Sequence, residues 1–218
     1  MFKEKINPLQ NYQDKITKFI LDHEISKKNI NILEFGVREG RSTKMFLDIC
    51  KKNEGKLISV DVDDYSNLFN DNNWTFLKTR DDDYKKVSSY FSEDFDIILI
   101  DSLHEPNHVS KLIYTYWKHL KLNGSMYIDD ISWLPYMKNS WRDHEYTENI
   151  NRDTFNKILE IQLSNYDNIN LIFSFSGSGM CRIIKQNHNE LSKPKLMFPR
   201  KNYIKKILKK LLFLFKKA

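Results

Sequence analysis

Glycine and proline are scarce in this chain, six and five among 218 residues, and cysteine occurs only twice. So little glycine and proline excludes a collagen-like or low-complexity chain and makes each glycine a candidate for a backbone requirement. Cys50 closes a predicted helix and Cys181 lies in a predicted strand, so the pair offers neither a disulfide framework nor metal-ligand spacing. A reducing, cytoplasmic setting is the default expectation. The opening residues, MFKEKINPLQNYQDK, lack the apolar core of a signal peptide. No apolar run approaches the ~20 residues that span a bilayer. Also missing are a Cys-X-X-Cys pair, a His-Glu-X-X-His helix and a Gly-X-Ser-X-Gly elbow, and with them the zinc-protease and serine-hydrolase classes.

Aromatic residues are plentiful: 14 Phe, 11 Tyr and 4 Trp, within a 40% hydrophobic composition. That supply of apolar surface argues against disorder, and the length suits one α/β domain with a sizeable core. The net charge of +6 is unevenly placed. From Ser192 to Ala218 there are ten Lys/Arg and no acids, leaving 25 basic against 29 acidic residues in the rest. The body therefore carries −4, which argues against a broad nucleic-acid-binding face. The tail from 188 to 218, with Ile204, Ile207, Leu208, Leu211, Leu212 and Phe213 among its lysines, predicts a basic amphipathic helix. Such a helix suits an anionic membrane surface and a peripheral position on it, or docking on an acidic partner. A homodimer is left open.

Hydrophobic periodicity predicts a leading helix over Leu9–Leu21, within a segment 1–29, and then alternating strands and helices. Strands are predicted at Asn31–Val37, Lys56–Val62, Trp74–Lys78, Phe95–Ile100 and Ser125–Ile128. Helices are predicted at Ser42–Lys51, Lys85–Phe91, Pro106–Leu120 and Asn151–Leu163. Two last strands, Ile169–Phe175 and Met180–Lys185, flank Ser176-Gly177-Ser178-Gly179 and read as a closing hairpin. This is an α/β, Rossmann-like, doubly wound and mostly parallel sheet over residues 1–187, with an antiparallel hairpin at its end.

In such sheets ligands bind beyond the carboxyl ends of the strands, and the chemistry-bearing residues gather there. Gly36 and Gly40, in Glu34-Phe35-Gly36-Val37-Arg38-Glu39-Gly40-Arg41-Ser42, permit close backbone approach ahead of a helix N-terminus. The same spacing also fits a turn that needs only a permissive φ. Asp61, ending the second strand, is placed for ribose hydroxyls. Asp101 ends the fourth strand, and Asp129 and Asp130 end the fifth. Carboxylates brought together on adjacent strands repel and ask for a proton or a cation, and Mg²⁺ fits oxygen ligands. The alternative is that one aspartate serves a cofactor while the others cap turns. His104, three residues past Asp101, is a candidate general base. His108 and His119 read as surface residues, and His144 as a loop residue near an acceptor. Trp133, Tyr136, Trp141 and Tyr146 mark an aromatic loop suited either to covering an acceptor or to packing on the sheet.

Taken in order, EFGVREGRS, SVDVDD, FDIILIDSLHE and LNGSMYIDDI resemble the motifs of class I S-adenosylmethionine-dependent methyltransferases, most closely the catechol and macrocin O-methyltransferase-like group. The resemblance runs from about Ile30 to Lys185. It implies a seven-stranded sheet and S-adenosylmethionine as methyl donor. Glu34, Gly36, Gly40 and Ser42 would lie toward its methionine part, Asp61 on its ribose and Asp81 near its adenine. The Lys78-Thr79-Arg80-Asp81 sequence departs from the group's usual Gly-Asp pair. It further implies Mg²⁺ on Asp101, Asp129 and Asp130, with His104 where relatives keep a lysine base. The implied activity is O-methylation of a sugar, glycan or small-metabolite hydroxyl. An N-methyltransferase on an amino sugar, a hydroxylase-like relative and a non-catalytic cofactor-binding platform with a membrane tail are the alternatives.

Overall fold

The computed structural model describes residues 18–133 and 145–195, apart from 22, 25 and 26. The C-terminal tail, most of the leading helix, and Tyr136, Trp141 and His144 of the aromatic loop therefore lie outside the described residues.

Seven strands form one sheet: β1 (Asn31–Phe35), β2 (Lys56–Asp61), β3 (Trp74–Lys78), β4 (Phe95–Ile100), β5 (Leu120–Asp129), β6 (Ile169–Ser174) and β7 (Met180–Lys185). Their spatial order is β3-β2-β1-β4-β5-β7-β6. The first five run parallel, while β7 is antiparallel to both β5 and β6. The helices are α1 (Arg41–Asn53), α2 (Tyr84–Ser88), α3 (Pro106–Tyr116) and α4 (Glu145–Ser164). This is the doubly wound sheet with a closing hairpin that the strand and helix patterns predict.

Strand periodicity divides the core in two. Leu33, Phe35, Ile98, Ile100, Met126 and Ile128 pack with Val109, Leu112, Ile113 and Tyr116 of α3 and Ile158 and Ile161 of α4. Ile32, Leu57, Ile97, Leu99 and Tyr127 pack on the other face with Met45, Phe46 and Ile49 of α1 and with Ile20. Residues 18–21 and 23–24 are helical, and a buried polar knot fastens them to the sheet. The Glu24 carboxylate accepts hydrogen bonds from Ser125 Oγ, from Tyr127 Oη at 2.9 Å and from Arg182 Nη2 at 3.1 Å, while Lys27 Nζ lies 2.7 Å away.

The largest boundary differences from the sequence expectation lie around β5 and at the start of the last helix. The helix α3 ends at Tyr116, passing into a 3₁₀ turn at Trp117–His119, and β5 begins already at Leu120. Asn123 and Gly124, read as a helix stop, are carried within the strand, with Asn123 at φ 60°. The helix α4 starts at Glu145, with Glu145 and Glu148 in the first turn where the helix dipole favours acids.

Candidate active site

Strand order reverses between β1, whose chain continues to β2 on one side, and β4, which begins the other half of the sheet. Side-chain chemistry gathers at the carboxyl ends of these strands. A cleft of about 530 Å³ opens there, lined by Gly36, Asp61, Asp81, Asp101, Ser102 and His108 among others, a volume in the range of small-molecule sites. A cavity of about 350 Å³ at the opposite, amino-terminal edge is bordered by Asn31, Lys56, Tyr90 and Glu93. The carboxyl edge is where open α/β sheets bind ligands, so the larger cleft is the candidate site.

The β1–α1 turn shapes one wall. Gly36 has φ 95°, and a Cβ there would fall 2.0 Å from the Asp101 carbonyl oxygen. Gly36 N–H donates to Val60 O and Asp101 N–H to Phe35 O, so the turn is stitched to both neighbouring strands. At Gly40 (φ 72°) a Cβ would meet the Phe69 ring at 2.8 Å. The glycines thus serve close packing of the turn; Gly36 borders the cleft, and Gly40 is buried against Phe69.

Asp61 caps this turn. Its Oδ2 accepts from Val37 N–H at 2.8 Å and Arg38 N–H at 3.4 Å, and its Oδ1 from Asp63 N–H. Glu34 lies beneath the turn with no exposed surface, outside the cleft lining. Its Oε2 accepts from Thr43 Oγ1 and Ser59 Oγ while Oε1 has no hydrogen-bond partner, and the Ser42 hydroxyl nearby also favours the charged carboxylate. Burial pushes the Glu34 carboxyl from 4.5 up to about 7, against the lowering effect of the three hydroxyls. Through Thr43 and Ser59, Glu34 therefore forms an interior link between β1, α1 and β2, and Ser42 at the start of α1 lies outside the cleft lining with it.

Asp101 lines the cleft, and beside it stand His104 and Asp130. His104 Nε2 stands 3.6 Å from Asp101 Oδ1 and 3.4 Å from Asp130 Oδ2. The His104 carbonyl accepts from Thr154 Oγ1 of α4 at 3.0 Å, which positions the loop that carries the imidazole. Asp129 turns elsewhere: it is buried, and its Oδ1 accepts from Ser178 Oγ at 3.0 Å. Asp130, at φ 56°, is turned out of the strand path. Among the described residues no group of three or more His, Cys, Asp or Glu side chains is placed to hold a metal ion. Two of the three expected aspartates do converge, on an imidazole.

Asp81 also lines the cleft, and it has company that sequence reasoning missed. Its Oδ2 accepts from Ser102 Oγ and, at 2.8 Å, from His108 Nε2. His108 is not a surface residue: its side chain is only 8% exposed, because the first turn of α3 points it at Asp81. The available signal was a polar ring two residues after the Pro106 that opens a helix at the cleft edge. His119 also differs from its surface reading, since it hydrogen-bonds Tyr84 Oη and stacks on that ring.

Residues 33–131 match a family described as a methyltransferase domain. A search of curated proteins gives no match. Among solved structures, the MycE methyltransferase from the mycinamycin biosynthetic pathway, in complex with Mg, SAH and mycinamycin VI, superposes with a TM-score of 0.59 at 17% identity. The alignment covers 88% of this chain and 54% of that one, so the chain spans about half the length of that protein. A putative caffeoyl-CoA O-methyltransferase from Staphylococcus aureus aligns with a TM-score of 0.58 at 16% identity, over 83% and 84% of the two chains. An O-methyltransferase from Bacillus cereus, in complex with SAH, aligns with a TM-score of 0.55 at 14% identity, over 84% of each chain. At these identities the likeness is one of fold.

Proposed function

We propose that this chain, whose residues 33–131 match a methyltransferase-domain family and whose fold resembles solved methyltransferases, transfers a methyl group from S-adenosylmethionine to a hydroxyl oxygen of a sugar or small metabolite. The observation that carries this reading is the imidazole of His104 held between Asp101 and Asp130 at the carboxyl edge of β4 and β5. The cleft suits an adenosyl ligand in size and chemistry, with Asp61 at the end of β2 for ribose and Asp81 beyond β3 for the base. Solved structures of the same fold that hold SAH, from MycE and from the Bacillus cereus enzyme, support the choice of donor.

S-adenosylmethionine supplies an electrophilic methyl on a sulfonium, whose C–S bond electrons return to sulfur as the new O–CH₃ bond forms. The His104 imidazole takes the acceptor hydroxyl proton, and Asp101 and Asp130, facing its Nε2, stand beside the ring that becomes positive. The −1 charges of these aspartates offset that gain of charge within the protein. A divalent ion fits these residues in part: Asp101 and Asp130 offer hard oxygens, and Mg²⁺ that keeps its waters needs one or two carboxylates. Bound there, it would lower the pKa of the acceptor hydroxyl.

The test is calorimetric titration of the whole chain with S-adenosylhomocysteine, with and without Mg²⁺, followed by mass spectrometry of hydroxylated acceptors incubated with the donor. Micromolar binding and a product heavier by one methylene support the reading. Absence of binding in both buffers would remove it in favour of a non-catalytic platform, and methylation of an amine alone would reassign the acceptor atom.

A further inference from the structure

The donors that hold Asp81 in the cleft have no part in the chemistry above. Asp81 Oδ2 takes two donors, from Ser102 on the loop after β4 and from His108 on α3, while its Oδ1 takes none from the described residues. Two donors from different elements on one oxygen fix the rotation of the carboxylate and leave the other oxygen to a ligand. The Asp81 backbone is anchored separately, since Tyr116 Oη donates to its carbonyl at 2.8 Å. Two large apolar side chains border the same cleft with much of their surface uncovered, Val62 at 59% and Leu103 at 47%. Apolar flanks with one aimed polar acceptor suit a flat heterocycle that carries an exocyclic N–H donor.

We infer that His108, with Ser102, is a positioning residue that aims Asp81 at the exocyclic amino group of a purine, making this chain select an adenine over a 6-oxopurine. The inference rests on the donor reading above. A 6-aminopurine presents N–H to Asp81 Oδ1. A 6-oxopurine presents a carbonyl oxygen at the same place, and acceptor then faces acceptor with no proton between them. Sites built on a buried hydrogen-bonding group reject ligands that leave it unpaired much more strongly than apolar pockets reject a misfit. Without His108, Asp81 keeps its backbone anchor and Ser102 but loses the donor that comes from α3, and the carboxylate can turn from the base.

The experiment is calorimetry on the full chain with two probes, S-adenosylhomocysteine and S-inosylhomocysteine, which differ at the purine 6-position. The wild type is expected to prefer the adenosyl compound by at least about tenfold. In His108→Ala that preference falls to about twofold or less, through loss of adenosyl affinity with little change for the inosyl compound. His108→Gln, which returns an amide donor at similar reach, restores most of it. Circular dichroism melting checks that both variants stay folded. Equal weakening of both probes in His108→Ala, or an unchanged preference, overturns the inference and leaves the donor reading standing. A wild type that binds neither probe removes both.

Discussion

A carboxyl group with no exposed surface is held at a cost that grows with pH, and Glu34 is such a group. Its folded-state value of about 7 lies above the ordinary 4.5 because burial disfavours the charged form. Between those two values the folded chain keeps a proton that the unfolded chain has released. Its contribution to stability is therefore undiminished below the lower value, is lost as pH rises through the interval, and levels off above it. Glu34→Gln removes this dependence while keeping an acceptor for Thr43 and Ser59. Urea unfolding of both proteins at pH 5 and pH 8 should show the variant gaining on the parent by on the order of 3 kcal/mol between the two. A difference that does not change with pH would mean that the carboxyl ionises freely in the fold. At the cleft, His104→Ala should lower turnover by about 10²–10⁴-fold while S-adenosylhomocysteine affinity stays within about twofold. Parallel loss of both would make His104 a scaffold residue. Sequence motifs pointed to Asp61, Asp101 and His104 because strand ends in an open sheet have a fixed place relative to the ligand. They could not separate Asp129 from Asp130, since neighbouring residues leave the chain in different directions and only the contact with Ser178 shows which one turns inward.

Among elements, the β1–α1 turn and the segment before β1 show different ways of holding an edge. Gly36 lets β1 and the start of the β4–α3 loop come within a hydrogen bond of each other. A methyl group there meets the Asp101 carbonyl, and φ 95° adds strain of its own. Gly36→Ala should lose at least ~2 kcal/mol of stability in urea and lose S-adenosylhomocysteine binding with it, because Asp101 is displaced. Retained binding at parental affinity would show that the turn gives way without moving the site. The helical residues before β1 are fastened by Glu24, whose carboxylate is fully buried among Arg182, Ser125 and Tyr127. Removing one partner of such a group leaves the rest uncompensated, so Glu24→Ala should cost about 3 kcal/mol, read as a lower urea midpoint with an unchanged slope. Alternating apolar residues made the strands legible in sequence. The early end of α3 was not legible, because its apolar spacing continues through Trp117 and Leu120, and the 3₁₀ turn that redirects the chain is set by packing.

At the scale of the whole molecule, charge is divided between an acidic body and a tail with ten basic residues and no acids. Among the described residues no helix is long and apolar enough to cross a membrane. We propose that the tail, through its lysines and its Leu and Phe residues, docks on an anionic lipid surface, where each nearby lysine would add about 1 kcal/mol. Removal of residues 200–218 should abolish co-sedimentation with phosphatidylserine vesicles and leave S-adenosylhomocysteine affinity unchanged. Co-sedimentation that survives the deletion would place any lipid contact on the body.

The sequence by itself determined the order of strands and helices along the chain, the hairpin that closes the sheet and the strand-end positions of Gly36, Asp61 and Asp101, with His104 three residues further on. These follow from local periodicity and from the rule that βαβ units cross over with one hand. Only the tertiary structure decided that Glu34 is sealed beneath its turn, that Asp129 faces Ser178 while Asp130 faces His104, and that His108 grips Asp81. The physical reason is that a side chain's partner across the fold depends on the relative placement of elements many residues apart. His108 and Asp81 are 27 positions apart in the chain and 2.8 Å apart in space, and nothing in the spacing of either residue encodes that meeting.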